Sequence, residues 1–247
     1  MERAVFDRMA EIDQDHWWFC ARRAIITQLI DQYRPSPKAM NILEVGCGTG
    51  SNLSLLQRYG TVDAVEPDDI ARDHASRSSG IKVKGGYLPD GVELEDGRYD
   101  LIVMFDVLEH IPDDRGALAL LHHKLAPGGR MLVTVPAIPW LWSAHDVAHH
   151  HQRRYTRDGL LEVFRQTHFT PIHHSHFNSL LLPPIIAARG LGKLLGREGG
   201  DDAIPATRVN AMLKGIFGLE RHWVTHVSVP FGVSLALVAE AETTGVQ

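Results

Sequence analysis

A glycine loop, a set of spaced acids and a crowd of histidines are the residues of this 247-residue sequence that can do chemistry. The run LEVGCGTG, Leu43 to Gly50, lies between an apolar stretch and a helical one. Glycines placed there permit a tight turn and bring free backbone amides close to a ligand. Gly46, Gly48 and Gly50, with Cys47 between the first two, read GxGxG, whereas a pyrophosphate site reads GxGxxG. Glu44 precedes the first glycine by two. An acid so near opposes a phosphate and suits a ligand carrying an amino group and a sulfonium. Glu66, sixteen residues past Gly50, ends the next apolar run, where a carboxylate can accept both hydroxyls of a ribose.

Candidate bases follow later strand-like runs. His110 and the pair His145-Asp146 both arise where α/β sheets place their sites, at carboxyl ends of strands, and His145-Asp146 is the better candidate to take a proton from a hydroxyl acceptor. Trp140, Trp142, Arg153, Arg154 and Tyr155 share the second loop. Its aromatics can wall an acceptor pocket and its arginines can hold a phosphate or carboxylate; a solvated basic stretch over the sheet is an equally good reading. Trp17, Trp18 and Phe19 are consecutive on a helix and cannot all face one core, so at least one is expected to be exposed or to touch ligand. The chain has 15 histidines, eight of them from His145 to His176. His145 and His149 have i, i+4 spacing, but no cysteine or HExxH accompanies them, and no metal site is expected.

The elements that must position these residues alternate. Apolar runs at Met40 to Val45, Thr61 to Val65, Ile81 to Val83, Tyr99 to Phe105 and Met131 to Val135 read as strands, separated by helical segments such as Ser51 to Tyr59, Asp68 to Ser79 and Asp113 to Leu125. Tyr99 to Phe105 is apolar at nearly every position, as a strand buried on both faces must be. Thr156 reads as the N-cap of a helix through His168, and strands at Pro171 to Phe177 and Gly232 to Ala239 complete the sheet. The expected fold is therefore α/β: a Rossmann-like, doubly wound, mostly parallel seven-stranded sheet, with an N-terminal helical segment over 1–38 and a helical cap inserted at about 178–230 between the last two strands.

Composition narrows the function. Net charge is -5, so no global basic field gathers nucleic-acid phosphates. Two cysteines, Cys20 and Cys47, make a disulfide framework unexpected and point to a cytoplasmic setting. No leader-like apolar core or membrane span is read from the sequence. The insertion is apolar and locally basic: Arg189, Lys193 and Arg197 stand among leucines and isoleucines, and Val209, Met212, Leu213, Ile216 and Phe217 recur at helical spacing. Such a cap can lie at the inner face of a membrane and present a lipid-linked acceptor, or pack as a lid or against a partner in a homodimer.

Four ordered features, LEVGCGTG, AVEP, YDLIVMFDVLEHIPD and LAPGGRMLVTVP, resemble the class I S-adenosylmethionine-dependent methyltransferases. The resemblance implies S-adenosyl-L-methionine as cofactor, with Gly46 to Gly50 against its methionine part, Glu66 on its ribose and Asp106 beside the methionine and the sulfonium. It places an adenine contact near Tyr87 and Leu88. HWWFCARR, HDVAHHHQRRYT and PFGVSLALVAEA are similar to a bacterial subgroup concerned with envelope polysaccharide and glycolipid biosynthesis. The function so implied is methyl transfer to a small or lipid-linked acceptor at oxygen. Transfer to nitrogen or carbon, or cofactor binding without turnover, stays open.

Overall fold

The computed structural model describes residues 11–194 and 204–242. Its six strands are β1 (Met40–Val45), β2 (Gly60–Val65), β3 (Tyr99–Phe105), β4 (Leu125–Pro136), β5 (Phe169–Phe177) and β6 (Ser234–Ala241). They form one sheet in the order β2-β1-β3-β4-β6-β5. β1 pairs in parallel with β2 and β3, and β3 with β4, while β6 runs antiparallel between β4 and β5. The chain goes from β1 outward to β2 and then returns to β3 on the other side. That reversal opens a crevice at the carboxyl ends of β1 and β3, where ligands of such sheets bind.

Six strands replace the expected seven among the described residues. Ile81 to Val83 does not pair; only Lys84 bridges Val65, before Gly85 and Gly86 leave the sheet edge with no side chain to pack on it. Helix α2 is a single turn, Leu53–Leu56, instead of the longer segment expected from Ser51 to Tyr59. β4 starts six residues before Met131: Leu125 pairs with Tyr99, and the register shifts across the Pro127-Gly128-Gly129 segment until Arg130 faces Leu101.

Alternation along the strands divides the core into two layers. On one side Ile42, Leu101, Val103, Leu132 and Val238 meet Ile25, Ile26 and Leu29 of α1 (Trp17–Tyr33). On the other, Leu43, Ile102, Met104 and Val133 meet α4 (Asp114–Lys124) and α6 (Arg157–Gln166) through Leu118, Leu121, Leu160 and Phe164. The helix starts are capped from the sequence. Asp68 accepts from Ile70 N and Ala71 N to begin α3 (Asp69–Ser79), and Thr156 from Gly159 N to begin α6.

The segment between β5 and β6 is helical, with α7 (Leu182–Leu194), α8 (Thr207–Gly218) and a 3₁₀ turn Leu219–His222. Arg197 of the expected basic stripe lies outside the described residues. α8 packs on the N-terminal helix: Trp17 N donates to Asn210 Oδ1 at 2.9 Å, Asn210 Nδ2 donates to Asp15 O at 2.8 Å, and the Trp17 and Phe217 rings meet edge-on at 5.8 Å. The predicted stripe splits. Phe217 is buried and Leu213 and Ile216 are half-buried, while Val209 and Met212 stay exposed. Among the described residues no helix is long and apolar enough to cross a membrane.

Candidate active site

The turn after β1 uses left-handed backbone at each glycine, with φ of 69° at Gly46, 55° at Gly48 and 90° at Gly50. Gly46 N and Cys47 N both donate to Val65 O, at 2.8 and 3.1 Å, which ties the loop to the end of β2. A Cβ on Gly46 would stand 2.6 Å from a Val107 methyl, whereas one on Gly48 would meet nothing within 4 Å. Gly46 is thus required by packing. Gly48 opens onto free space that a side chain would fill.

Two buried acids flank that space. Glu66 Oε2 accepts from Gly48 N at 2.8 Å and its Oε1 from Asp68 N at 2.9 Å. Burial pushes this carboxyl up, and the two N–H bonds pull it back. Glu44 is 1% exposed; Asn52 Nδ2 donates to its Oε1 at 3.1 Å, while Glu44 Oε2 and Asn52 Oδ1 have no hydrogen-bond partner. Burial pushes Glu44 up to about 7. Unpaired buried polar atoms of this kind are costly without a ligand, and they suit one bearing an ammonium group. The Cys47 thiol is buried beside both acids and pushed up, which makes it wall and not nucleophile.

At the end of β3, Asp106 adopts φ of 57° and its carboxylate forms an ion pair with Arg22 Nη2 of α1. The same guanidinium group donates to Thr134 Oγ1 of β4 at 3.3 Å and lies 4.9 Å over the Trp18 ring. Its buried Nε has no hydrogen-bond partner. In the sequence Arg22 stands only within the HWWFCARR motif, yet the helix delivers it to the crevice itself. Trp17, Trp18 and Phe19 are all half-buried: none is wholly buried in the core and none is fully exposed. Leu88 is half-buried against the α4 and α6 layer, and Tyr87 beside it is exposed.

The loop after β4 carries α5 (Ala144–Ala148) and the proposed bases. Asp146 is completely buried. His151 Nδ1 lies 2.9 Å from its Oδ1, Arg154 Nε and Nη2 donate at 2.7 and 2.9 Å, and Ser143 N donates at 2.9 Å. Burial alone would raise this carboxyl, but the bonds from His151 and Arg154 hold it far below the usual range. The carboxylate is therefore the anchor of the loop, and the imidazole it orients is that of His151. Arg154 is spent on Asp146 and Ala137 O, and Arg153 on Asp114 and Pro112 O, so neither arginine is left for an acceptor phosphate. Trp140 and Trp142 remain exposed and His145 is half-buried. Glu109 is 0% exposed; its neighbour His110 packs edge-on against His151 at 4.7 Å, and burial, then His151, push His110 down to about 4. An imidazole so held is neutral and a weak base.

The later histidines serve the fold. His173 Nε2 lies 2.8 Å from Val224 O and His176 Nδ1 3.0 Å from Val229 O, stitching the end of the helical insertion onto β5.

A family model described as a methyltransferase domain matches residues 17–182. The chain belongs to the methyltransferase-domain family. With this membership come the enzyme class, S-adenosylmethionine-dependent methyltransferase, and the cofactor, whose amino and ribose groups fit the unpaired Glu44 and Asn52 atoms, the open space at Gly48 and the carboxylate of Glu66. This methyltransferase domain is 27% identical over 173 residues to the ubiquinone biosynthesis O-methyltransferase of Serratia proteamaculans, spanning 62% of this chain and 70% of that one. It is 33% identical over 110 residues to the namesake from Methylocella silvestris, spanning 41% and 42%. A Mycobacterium tuberculosis protein described as an S-adenosylmethionine-dependent methyltransferase is 28% identical over 128 residues, or 51% and 45%. The matches thus span between 42% and 70% of these relatives. The methyltransferase in a Haloferax volcanii complex with the activator Trm112 shares the fold over 99% of this chain and 97% of its own, with TM-score 0.66 at 17% identity. The envelope-polysaccharide setting rests on the flanking motifs alone.

Proposed function

We propose that the protein methylates a hydroxyl of a small or lipid-linked acceptor. The observation that carries this reading is the half-buried His145, with the exposed Trp140 and Trp142 on the same loop, which leaves the carboxyl end of β4 next to β3 and its crevice. S-adenosylmethionine, when bound, supplies a methyl group on a positively charged sulfur. In this reading Glu66 accepts the ribose hydroxyls, Glu44 Oε2 and Asn52 Oδ1 receive the ammonium group, and Arg22 Nε donates to the carboxylate. Asp106 places negative charge beside the sulfonium and is itself positioned by Arg22. Trp140 and Trp142 form the acceptor wall, and α1 and α8 exclude water from the other side. His145 would take the proton of the acceptor hydroxyl during methyl transfer, a contribution of roughly a hundred- to ten-thousandfold.

Relatives named for O-methylation in ubiquinone biosynthesis support oxygen as the acceptor atom. The exposed Val209, Met212 and Leu219, flanked by Arg208, Lys214 and Arg221, support a lipid-proximal acceptor and peripheral contact with an anionic leaflet. The test is label transfer from methyl-labelled cofactor to a membrane-lipid extract and to a panel of soluble phenols and saccharides. An O-methylated product that disappears in His145→Ala supports the reading. A product methylated at nitrogen or carbon, or cofactor binding with no product from any acceptor, overturns it.

A further inference from the structure

We propose that Glu109, His110 and His151 form a binding site for one divalent transition-metal cation. Each offers a donor atom, and the three donors lie within 4.8 Å of one another. Tetrahedral coordination with bonds near 2.0–2.1 Å spaces donors by about 3.3 Å, so small rotations of the two imidazoles close the set.

Three further observations point to a cation. Glu109 is 0% exposed, and neither of its carboxylate oxygens has a hydrogen-bond partner. A carboxylate taken from water and given no donor is expensive, and metal coordination is one of the few ways to satisfy it. Next, His151 is already held as metal-bound imidazoles are held: Asp146 Oδ1 lies 2.9 Å from Nδ1, which leaves Nε2 as the free donor, 4.0 Å from Glu109 Oε1. Arg154 in turn fixes Asp146 through two bonds. Finally, Gln152 N donates to Glu109 O at 2.8 Å, so backbone already ties the segment carrying His151 to the turn carrying the other two donors.

Two imidazoles and one carboxylate favour zinc, cobalt, nickel or iron over calcium or magnesium, which prefer all-oxygen sets. The carboxylates of Asp106 and Asp146 favour a cation near this cluster, while the guanidinium groups of Arg22 and Arg154 oppose it. The donors come from positions 109, 110 and 151; the His145 and His149 rings that drew attention in the sequence stand 6.2 and 5.7 Å from the His151 ring.

The experiment uses the full chain after chelator treatment, titrated with Co²⁺ alone and read by its visible absorption, with Zn²⁺ added in competition. One equivalent of Co²⁺ with the intense bands of a low-coordinate site is expected, displaced by Zn²⁺. Glu109→Gln, nearly isosteric, and His110→Ala should each weaken binding at least tenfold, and Asp146→Asn by about 10- to 100-fold, while His123→Ala on α4 should not change it. Circular dichroism checks that each variant folds. Absence of a stoichiometric site, or a site unchanged in both Glu109→Gln and His110→Ala, overturns the proposal and leaves Glu109 as a buried neutral acid. Cofactor affinity measured on the same metal-free sample reports separately on the methyltransferase reading.

Discussion

The guanidinium group of Arg22, on the first helix described, is ion-paired with the carboxylate of Asp106 at the carboxyl end of the central strand β3. It joins a helix outside the nucleotide-type sheet to the residue expected beside the sulfonium. Removing it leaves Asp106, whose side chain is 23% exposed, without its cation. Arg22→Ala is expected to cost roughly 2–4 kcal/mol of stability and to weaken cofactor binding at least tenfold. Arg22→Lys should restore the charge but not the fork that also reaches Thr134. Thermal melts and calorimetric titration with cofactor decide this; wild-type values for Arg22→Ala would refute it.

Glu66 has two oxygens that each already accept one backbone N–H and keep a lone pair for a ribose hydroxyl. Hydrogen bonds to a charged acceptor are worth about 1.5–3 kcal/mol, so Glu66→Ala is expected to raise the cofactor Kd roughly 10- to 100-fold. Equal affinity in wild type and variant would remove Glu66 from the ribose site.

Glu44, raised from 4.5 to about 7 by burial, binds its proton more tightly folded than unfolded. Its contribution to stability is fully present below about pH 4.5 and is lost as pH rises through 7. Glu44→Gln should therefore flatten the fall in Tm of the cofactor-free protein between pH 5 and 8. An ammonium group placed on this carboxyl favours its charged form, so cofactor binding at pH 6 should release a proton. Calorimetry in buffers of different ionisation enthalpy measures that release, and its persistence in Glu44→Gln would count against Glu44 as the group that ionises.

The loop after β4 separates anchoring from chemistry. Asp146→Ala strands the buried Arg154 and is expected to cost roughly 3–5 kcal/mol, read as a large drop in Tm. His145→Ala should leave Tm close to wild type and lower kcat by roughly a hundred- to ten-thousandfold. The opposite pattern, a stable Asp146→Ala and a fully active His145→Ala, would overturn both assignments.

Gly46 and Gly48 differ in the same way. Gly46→Ala drives a Cβ into Val107 and should lower stability, whereas Gly48→Ala adds about 1–2 kcal/mol of backbone strain and fills the open cradle. The second variant is expected to lose cofactor affinity out of proportion to its change in Tm, and paired melts and titrations test the contrast.

The alternation of apolar runs with helical ones, and the GxGxG loop between Glu44 and Glu66, were legible because their causes are local. Strand burial shows as hydrophobic runs, a tight turn as glycines, and a cap as Asp68 or Thr156. The loss of the strand at Ile81 to Val83 was not legible, because pairing depends on whether the chain stays beside its neighbour, and Gly85-Gly86 lets it leave. The partners of charged side chains were hidden for the same reason. Spacing offered Asp146 to the adjacent His145 and Arg154 to an acceptor; folding gave Asp146 to His151 and Arg154. Arg22 meets Asp106, and Glu109 meets His151, across separations that periodicity does not encode. By itself the sequence determined the α/β alternation, the glycine turn after β1 and the class of cofactor. Only the tertiary structure decided which buried charges are satisfied by one another and which, such as Glu109 and Glu44, keep oxygens unpaired, since desolvation acts on groups brought together in space and not on neighbours in the chain.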